Sequence, residues 1–261
     1  MCYTIFMLRV PFHYERNMVM FKNYIFDLYG TLIDIRTDEE DDALWEKMVM
    51  VYGYKECHYS VFEMRRHYKE LCAREKAKIK AEFPKRTNVD FDLRIVFREL
   101  YEIKGYTPSD EEVDLTASFF RCTSTKFIKL YDGVIDFLES LKKKGKKIYL
   151  LSNAQRSFTV PELKMMGLYD YFDGIFISSD LCASKPSVDF FDALFKKYKL
   201  KKIESIMIGN DFISDISGAY EFGIRSLYIH QEISSPITGK LLSDWSVMDG
   251  DFRKVKPLIL R

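Results

Sequence analysis

The chain has 261 residues, 47% of them hydrophobic, which suffices for one large α/β domain or for a core domain with a smaller insert. Its 40 basic and 39 acidic residues give a net charge of +1, so no overall field would attract nucleic acid or an anionic membrane. The five cysteines are widely spaced and without a CxxC pair, which argues against a disulfide framework or a zinc site and favours a reducing, cytoplasmic compartment.

No apolar run approaches the roughly 20 residues of a membrane span, so no membrane association is expected. We interpret residues 1–21 as an N-terminal extension or as the product of an early start codon. A signal peptide fits less well, because Arg9 interrupts the apolar run at residues 5–10 and no small-residue cleavage site follows.

The first predicted strand covers residues 24–28. From residue 34 to about residue 127 the chain is charged, tyrosine-rich and helical in period, with no convincing strand, which predicts an inserted helical domain.

Helix ends within this insert are predicted from local signals. Thr37 with Glu40, and Ser109 with Glu112, have the spacing of capping boxes and predict two helix starts. Two glycines end helical patterns, where positive φ is expected: Gly53 and Gly105.

Short apolar runs in the second half, each ending in small or polar residues, predict buried parallel strands. They are residues 148–151, 175–177, 206–208 and 226–229. Helical patterns lie between them, such as the apolar residues three and four apart from Phe190 to Tyr198. Strands alternating with helices predict an α/β fold with a doubly wound parallel sheet and right-handed crossovers.

Polar clusters follow several of these runs, and ligands of open α/β sheets bind outside the carboxyl ends of the strands. The clusters are residues 26–32 (FDLYGTL), 150–153 (LLSN), 184–186 (SKP) and 208–215 (IGNDFISD). Together they supply a carboxylate nucleophile, hydroxyl and amide donors, a fixed cation and a second acidic cluster able to hold a metal.

The order and spacing of these clusters resemble the four motifs of the haloacid dehalogenase superfamily, over residues 23–229. The resemblance implies a Rossmann-like core domain, residues 22–35 and 128–261, with a helical cap domain of the C1 type inserted at residues 36–127. The helical period of the insert agrees with this organisation.

The resemblance also implies roles for individual residues. Asp27 would be the nucleophile that forms an aspartyl ester, and Thr31 would orient it. Ser152 and Asn153 would bind the transferred group, and Lys185 would neutralise charge between that group and the nucleophile. Taken singly, each residue could equally cap a turn or be solvated.

The fourth cluster would bind Mg²⁺, a hard cation that takes oxygen ligands. The implied ligands are Asp27, the backbone carbonyl of Tyr29, Asp215 and one residue earlier in the cluster. Counted back from Asp215, that residue is Asn210 or Asp211. We favour Asp211 and keep Asn210 as the alternative.

Tyr29 departs from the phosphatases of this superfamily, which carry an aspartate two residues after the nucleophile to protonate the leaving alcohol. A phenol with a pKa of about 10 is a poor substitute, and losing a general acid costs about 10² to 10⁴ in rate. The motif DxYGT resembles that of haloacid dehalogenases, in which the halide leaves without a proton. Asp211 and Asp215 favour a phosphatase, because a metal is needed to counter phosphate charge.

Dehalogenases also carry a cap arginine that binds the substrate carboxylate. Candidates here, none in a matching motif, are Arg65, Arg66, Arg94, Arg98 and Arg121. A charged helical face is more often simply solvated.

The favoured interpretation is a cytoplasmic, Mg²⁺-dependent phosphatase acting on a small phosphorylated metabolite through an aspartyl-phosphate intermediate. The alternatives are a 2-haloacid dehalogenase-type hydrolase acting through an aspartyl ester, and a binding or regulatory protein with negligible turnover. The expected partner is a small-molecule substrate, with no nucleic acid and no membrane. Neither the substrate nor the oligomeric state can be read from the sequence.

Overall fold

The computed structural model describes residues 20–260. Nearly all of the predicted N-terminal extension lies outside the described residues. Its last residue, Phe21, is buried, and its ring packs edge-on against Trp245 at a centroid distance of 5.8 Å.

The strands within residues 20–260 are β1 (Asn23–Phe26), β2 (Ile33–Thr37), β3 (Thr125–Leu130), β4 (Lys147–Ser152), β5 (Gly174–Ile177), β6 (Ser205–Gly209), β7 (Arg225–Ile229) and β8 (Trp245–Val247). Six of them form one parallel sheet in the order β5-β4-β1-β6-β7-β8. The predicted α/β fold with a parallel sheet is therefore confirmed. Of the six strands in this sheet, only the short edge strand β8 was not predicted.

The helices in the same part of the chain are α1 (Asp42–Gly53), α2 (Val61–Glu82), α3 (Arg94–Glu102), α4 (Asp110–Ser124), α5 (Val134–Lys143), α6 (Arg156–Met165), α7 (Ser178–Leu181), α8 (Val188–Tyr198), α9 (Gly218–Phe222) and α10 (Val255–Ile259). Short turns of 3₁₀ helix cover Tyr169–Tyr171, Lys202–Glu204 and Phe252–Lys254, and a π-helical turn covers Phe212–Ser217. Among residues 20–260, no helix has the length and apolar character needed to cross a membrane.

Both faces of the sheet are covered, as the apolar strands require. Tyr24 and Phe26 of β1 pack on one side with residues of α5 and α10, whereas Ile25 packs on the other with residues of α8 and α9. The strands therefore end between two helical layers, and their carboxyl ends open toward the loops.

The four helices α1 to α4 form the helical insert and bury an apolar cluster rich in aromatic residues, to which α6 of the core contributes only Phe158. Trp45, Phe97 and Phe120 lie at its centre, and the ring centroids of Phe97 and Phe120 are 5.3 Å apart. The insert thus has a core of its own beside the two cores of the sheet.

The prediction that no strand lies between residues 34 and 127 was wrong at both ends. β2 and β3 pair antiparallel and frame the insert. Only one face of β2 is buried, through Ile33 and Ile35, while charged Asp34 and Arg36 alternate with them. Because of these charged residues, the segment lacks the continuous apolar run from which the other strands were predicted.

The predicted helix signals have mixed outcomes. The capping box of Ser109 and Glu112 is confirmed at the start of α4. Thr37 belongs to β2 instead, and Asp41 caps α1 by accepting from the Ala43 N–H. Of the two glycines, Gly105 has φ 83° in the turn after α3, and Gly53 ends α1 without positive φ.

Candidate active site

The predicted site residues gather at the carboxyl ends of three neighbouring strands. Asp27 follows β1, Ser152 ends β4, and Asn210 follows β6. Lys185 reaches the same point from the loop between α7 and α8.

At the centre, the Lys185 ammonium lies between two carboxylates. Its Nζ is 2.6 Å from Asp27 Oδ1 and 2.7 Å from Asp215 Oδ1, and the Lys185 and Asp215 side chains are each only 1% exposed. Burial raises the pKa of Asp215 to about 7 despite the adjacent ammonium. Burial alone would lower the pKa of Lys185, but the two carboxylates outweigh it and raise that pKa. When both carboxyl groups are ionised, two negative charges face one ammonium, so the cluster favours an added cation.

Two glycines let the site loops approach closely. Gly30 has φ 81°, and a Cβ there would lie 2.3 Å from Asn210 Nδ2. A Cβ at Gly209 would lie 2.3 Å from Asp215 Cγ. Between the loops, Thr31 Oγ1 is 3.4 Å from Asp27 Oδ2 and 3.2 Å from Asn210 Oδ1.

Ser152 and Asn153 have different surroundings. The Ser152 hydroxyl is buried and has no hydrogen-bond partner among the described residues, so it is available to an anion bound beside Asp27. The Asn153 side chain is engaged at both atoms: Oδ1 accepts from the Lys185 N–H at 2.8 Å, and Nδ2 donates to the Lys185 carbonyl at 3.0 Å. Asn153 therefore fixes the backbone of Lys185.

Asp211 points away from this centre. Its Oδ1 accepts from the N–H groups of Ile213 and Ser214, and its Oδ2 accepts from Ser235 Oγ at 2.6 Å. Burial favours a higher pKa, but these hydrogen bonds outweigh it and lower the pKa of Asp211. The side chain caps the π-helical turn, and Asn210 is the neighbour that faces the nucleophile loop.

A magnesium ion would find oxygen donors here. Within residues 20–260, no three His, Cys, Asp or Glu side chains cluster as a metal site. Mg²⁺ is usually held by one or two carboxylates with waters and substrate phosphate, which matches Asp27 and Asp215 supplemented by the Asn210 amide oxygen. The donor set fits Mg²⁺ with Asn210 in the place where we favoured Asp211.

The side chain of Tyr29 points into a buried polar network that the sequence analysis did not find. Its hydroxyl donates to Glu162 Oε2 and lies 3.2 Å from Thr159 Oγ1, both on α6. Glu162 also pairs with Arg121 of α4. Burial and then the negative charge of Glu162 raise the pKa of Tyr29. The phenol is thus a weaker acid than usual, and its proton is committed to Glu162.

Only one of the five candidate arginines reaches this region. The guanidinium carbon of Arg121 lies 5.2 Å from the centre of the Tyr29 ring. The other four pair with acidic residues of the insert: Arg65 with Glu40 and Asp42, Arg66 with Glu70, Arg94 with Asp92 and Asp114, and Arg98 with Asp110.

A second contact joins the insert to the sheet through the segment between α2 and α3. Arg86 donates to the carbonyls of Leu181 and Cys182, each at 3.0 Å. Asp90 Oδ2 accepts from Ser178 Oγ at 2.5 Å, and burial raises the pKa of this carboxyl. This segment therefore contacts α7 and the turn that follows it, and the Phe91 carbonyl accepts from Gln155 in the loop after β4.

Comparisons with known proteins identify the family of the chain. Residues 21–223 match a family model described as haloacid dehalogenase-like hydrolase. A glyceraldehyde 3-phosphate phosphatase of Methanothermobacter thermautotrophicus is 28% identical over 107 residues, which are 41% of this chain and 47% of that protein. The chain spans about half the length of the curated relatives it matches.

Solved structures resemble nearly the whole chain. A 2-haloacid dehalogenase from Pseudomonas syringae pv. tomato DC3000 has a TM-score of 0.64 at 21% identity, covering 92% of this chain and 98% of that one. The magnesium-bound HAD-hydrolase YfnB from Bacillus subtilis has a TM-score of 0.54 at 17% identity, covering 93% and 100%. At these identities the likeness shows the fold alone.

Proposed function

Because the chain belongs to the haloacid dehalogenase-like hydrolase family, we propose that it is a Mg²⁺-dependent phosphatase acting on a small phosphorylated metabolite. The carrying observation is the Asp27 carboxylate, which Lys185 holds at 2.6 Å. At the end of the neighbouring strand β4, the buried hydroxyl of Ser152 has no hydrogen-bond partner among residues 20–260. A fixed carboxylate with hydroxyl and ammonium donors around it suits nucleophilic attack on a phosphoryl group.

The mechanism follows from these residues. An oxygen of Asp27 attacks phosphorus, and the bond from phosphorus to the leaving oxygen breaks, which gives an aspartyl-phosphate. Water then attacks phosphorus, the bond from phosphorus to the Asp27 oxygen breaks, and the carboxylate is freed while a proton of the water passes to solvent. Lys185 and Ser152 donate to the phosphoryl oxygens, and Thr31 orients Asp27. Mg²⁺, held by Asp27, Asp215, Asn210 and the Tyr29 carbonyl, would supply positive charge to these oxygens.

Two similarities to known proteins support the proposal of a metal-dependent phosphatase. Curated relatives include phosphatases of several phosphorylated metabolites, and the structurally similar YfnB is magnesium-bound. We also propose a cytoplasmic location, in line with the free cysteines among the described residues.

We propose that the helical insert, residues 36–127, acts as a cap domain of the C1 type on a core of residues 22–35 and 128–261. Its separate apolar cluster supports this division. Its contacts through Arg121 and Asp90 hold it against the core, and in this position it would exclude water from the site and select the substrate.

Tyr29 limits the substrates that fit. Because its hydroxyl donates to Glu162, it supplies no proton to a leaving alcohol. We therefore propose acyl or aryl phosphates as favoured substrates, since their leaving groups depart as anions.

A second candidate is a 2-haloacid dehalogenase, favoured by the same residue through the dehalogenase-like DxYGT motif. Asp27 would then attack carbon, and a halide would leave without a proton. A binding or regulatory protein with negligible turnover is the third candidate.

The test is an assay of acetyl phosphate, 4-nitrophenyl phosphate, an alkyl phosphate and 2-chloropropionate, each with Mg²⁺ and with EDTA. Mg²⁺-dependent release of phosphate that Asp27→Asn abolishes supports the proposal, with Asp170→Asn on the surface as the matched control. Chloride release that persists in EDTA would favour the dehalogenase. No turnover of any compound would favour the binding protein.

A further inference from the structure

One carboxylate joins three separate parts of the molecule. Arg121 of α4 forms a two-point ion pair with Glu162 of α6, with Nε–Oε1 at 2.5 Å and Nη2–Oε2 at 3.2 Å. The Tyr29 hydroxyl donates to Oε2 of the same carboxylate. The helical insert is thus linked through the core helix α6 to the loop that follows β1.

This link is buried, unlike most ion pairs of the insert. The side chains of Arg121 and Glu162 are 12% and 9% exposed, and the guanidinium packs near the rings of Tyr29 and Phe158. Moving α4 away would leave Glu162 as a buried charge without its counter-ion, which is strongly unfavourable. The pair therefore favours the arrangement in which the insert lies against the core.

The loop that carries Tyr29 is compact. Residues 28–33 form one turn in which the Leu28 carbonyl accepts from the N–H groups of Thr31, Leu32 and Ile33 at 2.8 to 3.2 Å. A displacement of the Tyr29 ring is therefore passed to its neighbours in the turn. Asp27 and Thr31 lie on either side of that ring in the chain.

We propose that Arg121 is a positioning residue, which aligns Asp27 by fixing Glu162 and Tyr29 when the insert lies against the core. The effect on catalysis rests on the proposed function, whereas the mechanical link does not. The nucleophile loop is then ordered only with the insert in place.

The test compares Arg121→Gln with Arg156→Gln. Arg156 also forms a two-point ion pair, in which Nε lies 2.7 Å from Asp180 Oδ1 and Nη2 donates to Oδ2. Both of these residues belong to the core, so the control removes a similar bond that does not join the insert to the core. Hydrogen–deuterium exchange is followed at residues 28–33 and in α4, and turnover of 4-nitrophenyl phosphate is measured with Mg²⁺.

Arg121→Gln should raise exchange both in α4 and at residues 28–33 and should lower kcat by about 10- to 100-fold, as expected for a displaced reacting group. Arg156→Gln should change none of these. Tyr29→Phe should raise exchange at residues 28–33 alone, since the Arg121–Glu162 pair remains. Arg121→Lys, which keeps the charge, should recover part of kcat.

Arg121→Gln with Glu162→Gln removes the unpaired charge and keeps the protein testable if the single variant unfolds. Faster exchange in α4 with unchanged exchange at residues 28–33, in either variant, would overturn the proposal and leave Arg121 as an anchor of the insert alone. If the wild type turns over no phosphate, the proposed function fails, and the exchange data still decide the link.

Discussion

Replacing Lys185 with methionine should destabilise the protein more than removing any surface lysine. Methionine has similar length but no charge, so Asp27 and Asp215 would face each other without the ammonium that lies 2.6 and 2.7 Å from them. Removing one partner of a buried ion pair costs about 3 to 5 kcal/mol. The matched control is Lys196→Met, because Lys196 pairs with Asp192 at the same 2.6 Å but is exposed, and its loss should leave the free energy of unfolding unchanged within error.

The cost of Lys185→Met should depend on pH. Burial raises the pKa of Asp215 to about 7, above its ordinary value of 3.8, and removing the ammonium raises it further. A carboxyl with a raised folded-state pKa contributes stability that is present at low pH and is lost as pH rises through that pKa. The destabilisation should therefore be smaller at about pH 5 than at about pH 8.

Urea unfolding followed by circular dichroism at both pH values measures these differences. Adding Asp27→Asn to Lys185→Met should recover part of the lost stability, because it removes one of two like charges. A cost no larger than that of Lys196→Met, or no recovery by the second substitution, would refute the buried ion-pair argument.

Three further predictions concern the site and its surroundings. Tyr29→Asp should raise the ratio of kcat/KM for alkyl phosphates to kcat/KM for aryl phosphates about 10- to 100-fold, because an aspartate can protonate the alkoxide, whereas loss of the bond between Tyr29 and Glu162 should lower both values alike; an unchanged ratio would refute the missing-acid interpretation. Burial raises the pKa of Asp90, so the stability of wild type relative to Asp90→Asn, measured by urea unfolding, should fall as pH rises above about 4, the ordinary pKa of an aspartate, and through the raised pKa; a constant difference would contradict this assignment. Gly209→Ala should destabilise by about 1 to 3 kcal/mol in thermal unfolding because its Cβ would lie 2.3 Å from a carboxyl carbon, whereas Gly53→Ala, with open space around it, should not.

The parallel strands were predictable because they are buried on both faces and read as unbroken apolar runs. The carboxyl ends of parallel strands meet at one edge of the sheet, so Asp27, Ser152 and Asn210 could be grouped from the sequence alone. β2 gave no such signal, because a strand with one buried face alternates Ile33 and Ile35 with charged residues. β8 has only three residues.

Side-chain direction was beyond the sequence. Asn210 and Asp211 are adjacent, and their order along the chain does not tell which one faces the nucleophile loop. Extended backbone at Asp211, with φ −98° and ψ 122°, turns neighbouring side chains to opposite sides. The role of Glu162 could not be predicted for another reason. In the sequence it is an ordinary acidic residue in a helical pattern, and only the fold brings it into contact with Tyr29 and Arg121.

The antiparallel pairing of β2 with β3 brings the two ends of the helical insert together. The N–H of Asp38 donates to the Ser124 carbonyl at 2.8 Å. The chain therefore enters the insert and returns to the core at points that are joined by one hydrogen bond. A short turn could close that gap, and the entropy of closing a loop grows only slowly with its length. Inserts of very different size could therefore be exchanged at this junction during evolution, and new substrate preferences could arise while the catalytic sheet stays as it is.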